Sequence, residues 1–168
     1  MRPPPQPVTL LFALLVLLLL AAPAGSRGAE CTDDDADSAE QELGWVIDRL
    51  KSAPGKRGAW DHLHLALRRY RTCDEEELAE LFSQAVCKQL AQGWKDAPAI
   101  ALAVRRDPEL QGFLLGHLDH GCAPADLDLI QQNAVVRCPR YGQKLCAAVK
   151  ARVVRVLEDH PARPREEP

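Results

Sequence analysis

The sequence predicts an all-α protein, a compact antiparallel array of about six to seven helices held together by three disulfides. Apolar residues recur at helical spacing in nearly every segment. No run of alternating Val, Ile and Thr occurs, and no Asn-Gly hairpin turn, so no sheet is expected. The six cysteines are an even number in what is predicted to be an oxidising compartment, which indicates three disulfides.

Residues 1–29 have the pattern of a secretory signal peptide. Arg2 precedes an apolar run from Val8 to Ala22, small residues follow, and cleavage is expected between positions 24 and 29. The run is shorter than the roughly 20 residues needed to cross a bilayer. We therefore expect a secreted protein with no membrane insertion after signal removal. Residence in the endoplasmic reticulum lumen is the alternative.

The remaining residues are enough for one domain. Residues 30–160 are expected to form a single helical disulfide-containing domain, and residues 161–168 a disordered tail rich in proline and charge. The formal net charge of the whole chain is −3, which argues against a nucleic-acid partner. Only 5% of the residues are aromatic, so the predicted core consists of Leu, Val and Ala.

The first helix is predicted over residues 38–52, where Ser38 and Gln41 can form a capping box. Its apolar face comprises Leu43, Val46, Ile47 and Leu50. A second helix is predicted from an apolar face comprising Trp60, Leu63, Leu67 and Tyr70. Thr72 is expected to cap a third helix, because Glu75 follows three residues later, and Gly93 is expected to end it.

Three prolines mark the later helix starts, because a proline in the first turn of a helix loses no hydrogen bond. They are Pro98, Pro108 and Pro124. The helices that follow them are expected to end near Arg106, His120 and Val136. A last helix is predicted to begin near Tyr141.

Short links between helices imply that successive helices run antiparallel. This alternation of direction places each cysteine at one of the two ends of the helix array. Cys87 is 14 residues after Cys73, about 21 Å along a helix, so these two cannot pair. Cys87–Cys122 is the pair best supported by the alternation. Cys31–Cys73 and Cys138–Cys146 are the simplest remaining pairs. The last pair requires its helix to start near Gly142.

Two metal-site patterns occur in incomplete form. Asp33, Asp35 and Asp37 have the alternate spacing of a calcium loop, but Ser38 stands where glycine is needed, so an acidic helix start is predicted. A zinc site at His117, His120 and Cys122 would need a reduced cysteine, against the expected compartment. No metal and no cofactor are predicted.

Catalytic motifs are missing from the sequence. There is no G-x-S-x-G, no HExxH and no glycine-rich phosphate loop, so no enzyme is expected. The basic residues 68–71 are interpreted as a solvated helix face.

The segment "SAPGKRGAW", residues 52–60, raises the alternative of a hormone-like precursor. Cleavage after Arg57 and trimming of Lys56 and Arg57 would expose Gly55, a donor for amidating Pro54. The same prolines and glycines suit an ordinary loop between helices, which is the favoured interpretation.

These observations predict a small secreted non-enzymatic helical protein that acts through protein–protein binding, as a signal or as an assembly partner. Its partner is expected to be an unidentified extracellular or lumenal protein. The alternatives are the precursor cut after Arg57 and a carrier of a small apolar ligand. A carrier would contain a large internal cavity, whereas a binding protein would expose an apolar patch.

Overall fold

The computed structural model describes residues 31–54 and 58–159. Within these ranges the chain forms seven α-helices and no strand, which confirms the predicted all-α fold. The helices are α1 Asp33–Ser52, α2 Ala59–Tyr70, α3 Glu76–Gln92, α4 Ala97–Arg106, α5 Pro108–Gly116, α6 Pro124–Val136 and α7 Gln143–Asp159. Short 3-10 helices cover Arg71–Cys73 and Trp94–Asp96. The predicted signal peptide, the tail and the Lys56-Arg57 pair lie outside the described residues.

Helix α1 begins at Asp33, so the start predicted at Ser38 was wrong. Thr32 caps the helix: its hydroxyl accepts from the backbone N–H of Asp35, 3.2 Å away, and donates to the Asp35 carboxylate at 2.7 Å. This hydrogen bond with the Thr32 side chain lowers the pKa of Asp35. Because acidic side chains are stabilised in a first turn, the aspartate run belongs to the helix.

Helix α3 begins at Glu76, so the start predicted at Thr72 was wrong as well. Thr72 lies in the 3-10 helix Arg71–Cys73, which turns Cys73 into the core towards Cys31. Glu75 precedes α3 in extended conformation and makes no side-chain capping bond. The capping pattern at Thr72 therefore does not mark the start of α3.

Helix α5 ends at Gly116, four residues before the predicted end at His120. The chain leaves the helix here because Leu118 turns into the core and the ring of His117 is buried. The ends predicted at Arg106 and Val136 are confirmed. The last helix, predicted to begin near Tyr141, begins at Gln143, which is the later start that the Cys138–Cys146 pair requires.

The core runs through all seven helices, and α3 packs against both α1 and α6. The pairs α1–α2, α4–α5 and α6–α7 also pack together. Phe82 of α3 is fully buried and meets the ring of Phe113 edge-on, with 5.1 Å between the ring centres. In the part of the chain that the structure describes, no helix combines the length and the hydropathy needed to span a membrane.

Candidate functional site

Each of the three disulfides joins the cysteines that the alternation of helices predicted. Cys31–Cys73 closes the start of α1 onto the turn before α3, with 5.0 Å between the Cα atoms. Cys87–Cys122 joins α3 to the start of α6, with 5.7 Å between the Cα atoms. Cys138–Cys146 doubles the chain back onto the second turn of α7. With all six cysteines paired, Cys122 is not available to a metal ion.

A buried polar network lies beside the Cys87–Cys122 disulfide. Ser83 Oγ of α3 lies 2.9 Å from Asp119 Oδ2 and 3.0 Å from His117 Nδ1. The Nε2 atom of His117 lies 3.2 Å from Asp74 Oδ2. The network thus joins the loop before α3, α3 itself and the turn after α5.

The donors and acceptors of this network decide what it can do chemically. A carboxylate only accepts, so the Ser83 hydroxyl donates to Asp119, and the His117 ring lies between Ser83 and the Asp74 carboxylate. A hydroxyl that donates to a carboxylate does not direct its proton at the histidine, as activation by a histidine general base would require. Ser83 is also only 3% exposed. The geometry is that of a structural network rather than of an activated nucleophile.

Metal ligands are not assembled either. Across residues 31–54 and 58–159, no group of three or more His, Cys, Asp or Glu side chains is placed to hold a metal ion. Asp33 and Asp35 lie in the first turn of α1, as predicted for an acidic helix start. His117 belongs to the buried network, and Cys122 is bonded to Cys87, so the zinc alternative has no ligand set.

The exposed outer side of the first two helices presents apolar and cationic side chains together. We call it the α1–α2 face, and it consists of Glu42, Trp45, His62, Leu65, Arg68 and Arg69. Trp45 is 47% exposed and Leu65 is 64% exposed. The Trp45 indole lies against the His62 ring, with 4.3 Å between the ring centres. A cleft of about 630 Å³ is lined by the other five residues of this face, Glu42, His62, Leu65, Arg68 and Arg69.

The edge of the α1–α2 face is fixed by buried neighbours. Tyr70 is buried and donates its hydroxyl to Glu42 at 3.2 Å. Burial, followed by the Glu42 charge, raises the pKa of Tyr70. The guanidinium of Arg69 lies 5.1 Å above the Tyr70 ring centre. Arg68 and Arg69 form no ion pair with any residue that the structure describes, so their charges remain open to a partner.

Two further clefts occur at the surface. One of about 520 Å³ lies between α4 and the start of α7 and includes Arg105, Arg140 and the exposed Tyr141. The other, of about 370 Å³, lies between α1 and α3 and includes Glu77 and Glu80. Both are open to solvent and lined in part by charged side chains, which is not the enclosed apolar chamber expected of a carrier.

Comparisons with protein-family models, with curated proteins and with solved structures find no match to this chain.

The pairing of the cysteines was predicted from the sequence. The buried network and the α1–α2 face were not predicted. A signal for the α1–α2 face was present: Trp45 and Leu65 are large apolar residues that fall outside the predicted apolar faces of their helices. No comparable signal marks the network, because Ser83 and Asp119 meet only after α5 turns back onto α3.

Proposed function

We propose that this chain is a small, secreted, non-enzymatic protein that binds another polypeptide through the α1–α2 face. The observation that carries the proposal is the exposure of Trp45 and Leu65 on one surface, beside two arginines that form no ion pair within the described residues. Trp and Arg are enriched among the residues that dominate binding energies. Covering apolar surface gains about 25 cal/mol per Å², so a partner that fits this face is stabilised there.

Secretion is supported by covalent structure and by sequence. Three disulfides persist in oxidising compartments and are rare in the cytosol. Residues 1–29 also have the pattern of a signal peptide. The proposed partner is therefore an extracellular protein, with a lumenal protein of the endoplasmic reticulum as the alternative. The proposal of a non-enzymatic role is supported by the burial of Ser83 and by the donation of its hydroxyl to Asp119.

Site-specific photo-crosslinking in secreting cells tests the binding role. Gln41 is exposed and lies one helical turn from Trp45, so a photoreactive residue at this position reports on the α1–α2 face. We expect a covalent adduct with a discrete mass, carrying one partner polypeptide. The adduct should be lost when Trp45→Ser and Leu65→Ser are introduced together.

The matched control places the same photoreactive residue at Arg106, one turn from Leu102, which is 49% exposed on α4. We expect no discrete adduct from this position. Equal labelling from both positions, or an adduct at Gln41 that survives the double substitution, would contradict a specific role for the α1–α2 face.

The intact mass of the protein from the medium, before and after reduction, tests the secreted state. We expect a single chain starting between residues 25 and 30 that gains two hydrogens for each of the three disulfides. Two chains split after Arg57 would favour the precursor alternative. Recovery of the protein only from inside cells would favour the lumen.

A further inference from the structure

The exposed side of α2 has an acidic residue towards its start and a basic residue towards its end. Two antiparallel copies of this helix would therefore pair opposite charges. Asp61 lies in its first turn, Leu65 at its centre and Arg68 in its last turn, and all three are exposed. Asp61 precedes Leu65 by four residues and Arg68 follows it by three, about 6 Å and about 4.5 Å along the helix. Acid and base therefore lie at nearly equal distances on either side of the leucine.

This spacing matches an antiparallel contact between two copies of the helix. A two-fold axis at Leu65 would place Asp61 of each copy opposite Arg68 of the other, within about 1.5 Å in height. A two-fold contact is self-complementary, so the ion pair would form twice. The leucines would meet on the axis.

The charges concerned are available for such a contact. Neither Asp61 nor Arg68 forms an ion pair within residues 31–54 and 58–159. The same axis would bring Arg69 of one copy to the level of His62 in the other, where the exposed Trp45 indole lies. An arginine over an indole is a favourable cation–π pair.

We propose that the occupant of the α1–α2 face is a second copy of this chain, in an antiparallel dimer about a two-fold axis at Leu65. This inference rests on the proposed function, which assigns binding to that face, and it names the partner. Helix α2 has only 12 residues, so the contact is smaller than a standard interface of about 800 Å² per partner. A reversible dimer with a micromolar dissociation constant is expected.

Sedimentation velocity of the purified, disulfide-bonded protein over about 1 to 200 µM measures this equilibrium. The unsubstituted protein should shift from monomer to dimer across the range. Arg68→Glu and Asp61→Arg should each weaken dimerisation at least about tenfold, because each homodimer then carries two pairs of like charges. Leu65→Glu should do the same by placing two carboxylates on the axis.

The decisive sample is an equimolar mixture of the Arg68→Glu and Asp61→Arg proteins. In the mixed dimer both contacts pair opposite charges, so dimerisation should return to within about threefold of the unsubstituted protein. Leu102→Glu on α4 is the matched control and should dimerise normally. Helical circular dichroism of every variant checks that it is folded.

Three results would overturn the dimer: a monomer at all concentrations, single variants that dimerise normally, or a mixture that stays monomeric. The crosslinking experiment shows whether the proposed binding function fails together with the dimer. A crosslink from Gln41 to a different protein, with a monomeric purified chain, would leave the binding face intact and remove the second copy. Absence of any adduct at Gln41 together with a monomeric chain would remove both.

Discussion

One buried amide holds the end of the central helix. The Nδ2 atom of Asn133 in α6 donates to the carbonyl oxygens of Leu90 and Ala91, at 3.2 Å and 2.9 Å. These carbonyls belong to the last turn of α3, where no helical partner is available. A polar residue on α6 thus completes α3, a role that appears only when the two helices are packed together.

Asn133→Ala should lower the free energy of unfolding by about 1–3 kcal/mol, because it leaves two buried carbonyls without a donor. Urea denaturation followed by circular dichroism measures this change. Gln132→Ala, an exposed neighbour on the same helix, is the control and should be nearly neutral. Equal effects of the two substitutions would show that the amide bonds contribute little.

The side chain of His64 makes the stability of the folded state depend on pH. Its ring stacks on Trp60, with 5.1 Å between the ring centres. Burial, and next the Arg68 charge, hold the pKa of His64 below its ordinary value of 6.5. The folded state therefore binds fewer protons than the unfolded state at mildly acidic pH, and stability from this group is lost as the pH falls through that window.

His64→Gln should reduce the loss of stability on acidification, because glutamine does not titrate. We expect the fall in Tm between about pH 7.5 and about pH 5 to be smaller than in the unsubstituted protein. Leu102→Gln, at an exposed position of α4 that does not titrate, is the control and should keep the original pH dependence. An unchanged Tm difference in the His64 variant would contradict the assignment.

At the scale of the helices, apolar periodicity predicts the buried faces well and the ends less well. Leu43, Val46, Ile47 and Leu50 of α1 are all buried as expected. The start of α1 was misplaced at Ser38 because Ser38 and Gln41 have a capping pattern, and the start of α3 at Thr72 because Glu75 follows three residues later. Thr32 forms the capping bond, whereas Thr72 lies in the 3-10 turn that ends at Cys73, the partner of Cys31.

Thr32→Ala should destabilise the protein by about 0.5–2 kcal/mol, because it removes the capping box of α1. Thr72→Ala should have little effect, although the sequence alone favoured it as a cap. Urea midpoints of the two variants compare the caps directly. A larger loss in the Thr72 variant would favour the boundaries predicted from sequence.

At the scale of the whole molecule, three disulfides close loops of very different length. Cys31–Cys73 spans 42 residues, whereas Cys138–Cys146 spans 8. In the chain-entropy account, a longer loop restricts the unfolded state more strongly. The bridge that ties α1 to the start of α3 should therefore contribute more to stability than the bridge at the start of α7.

Replacing Cys31 and Cys73 by Ala should cost about 1–2 kcal/mol more than replacing Cys138 and Cys146 by Ala. Urea denaturation of the two double variants under non-reducing conditions measures the difference. Both variants retain Cys87–Cys122, which keeps α3 joined to the start of α6. A greater loss in the Cys138 and Cys146 variant would contradict the entropic order.

The sequence by itself determined the all-α fold and most of the buried faces, and it favoured the cysteine pairs that the structure contains. These follow from helical periodicity and from the alternation of helix direction, which are local or nearly local properties. Packing alone decided the rest. Trp45 and Leu65 are exposed side by side because α2 turns back beside α1, and Ser83 meets His117 only after α5 returns to α3. Contacts between distant residues depend on how the helices are arranged in space, which periodicity does not encode.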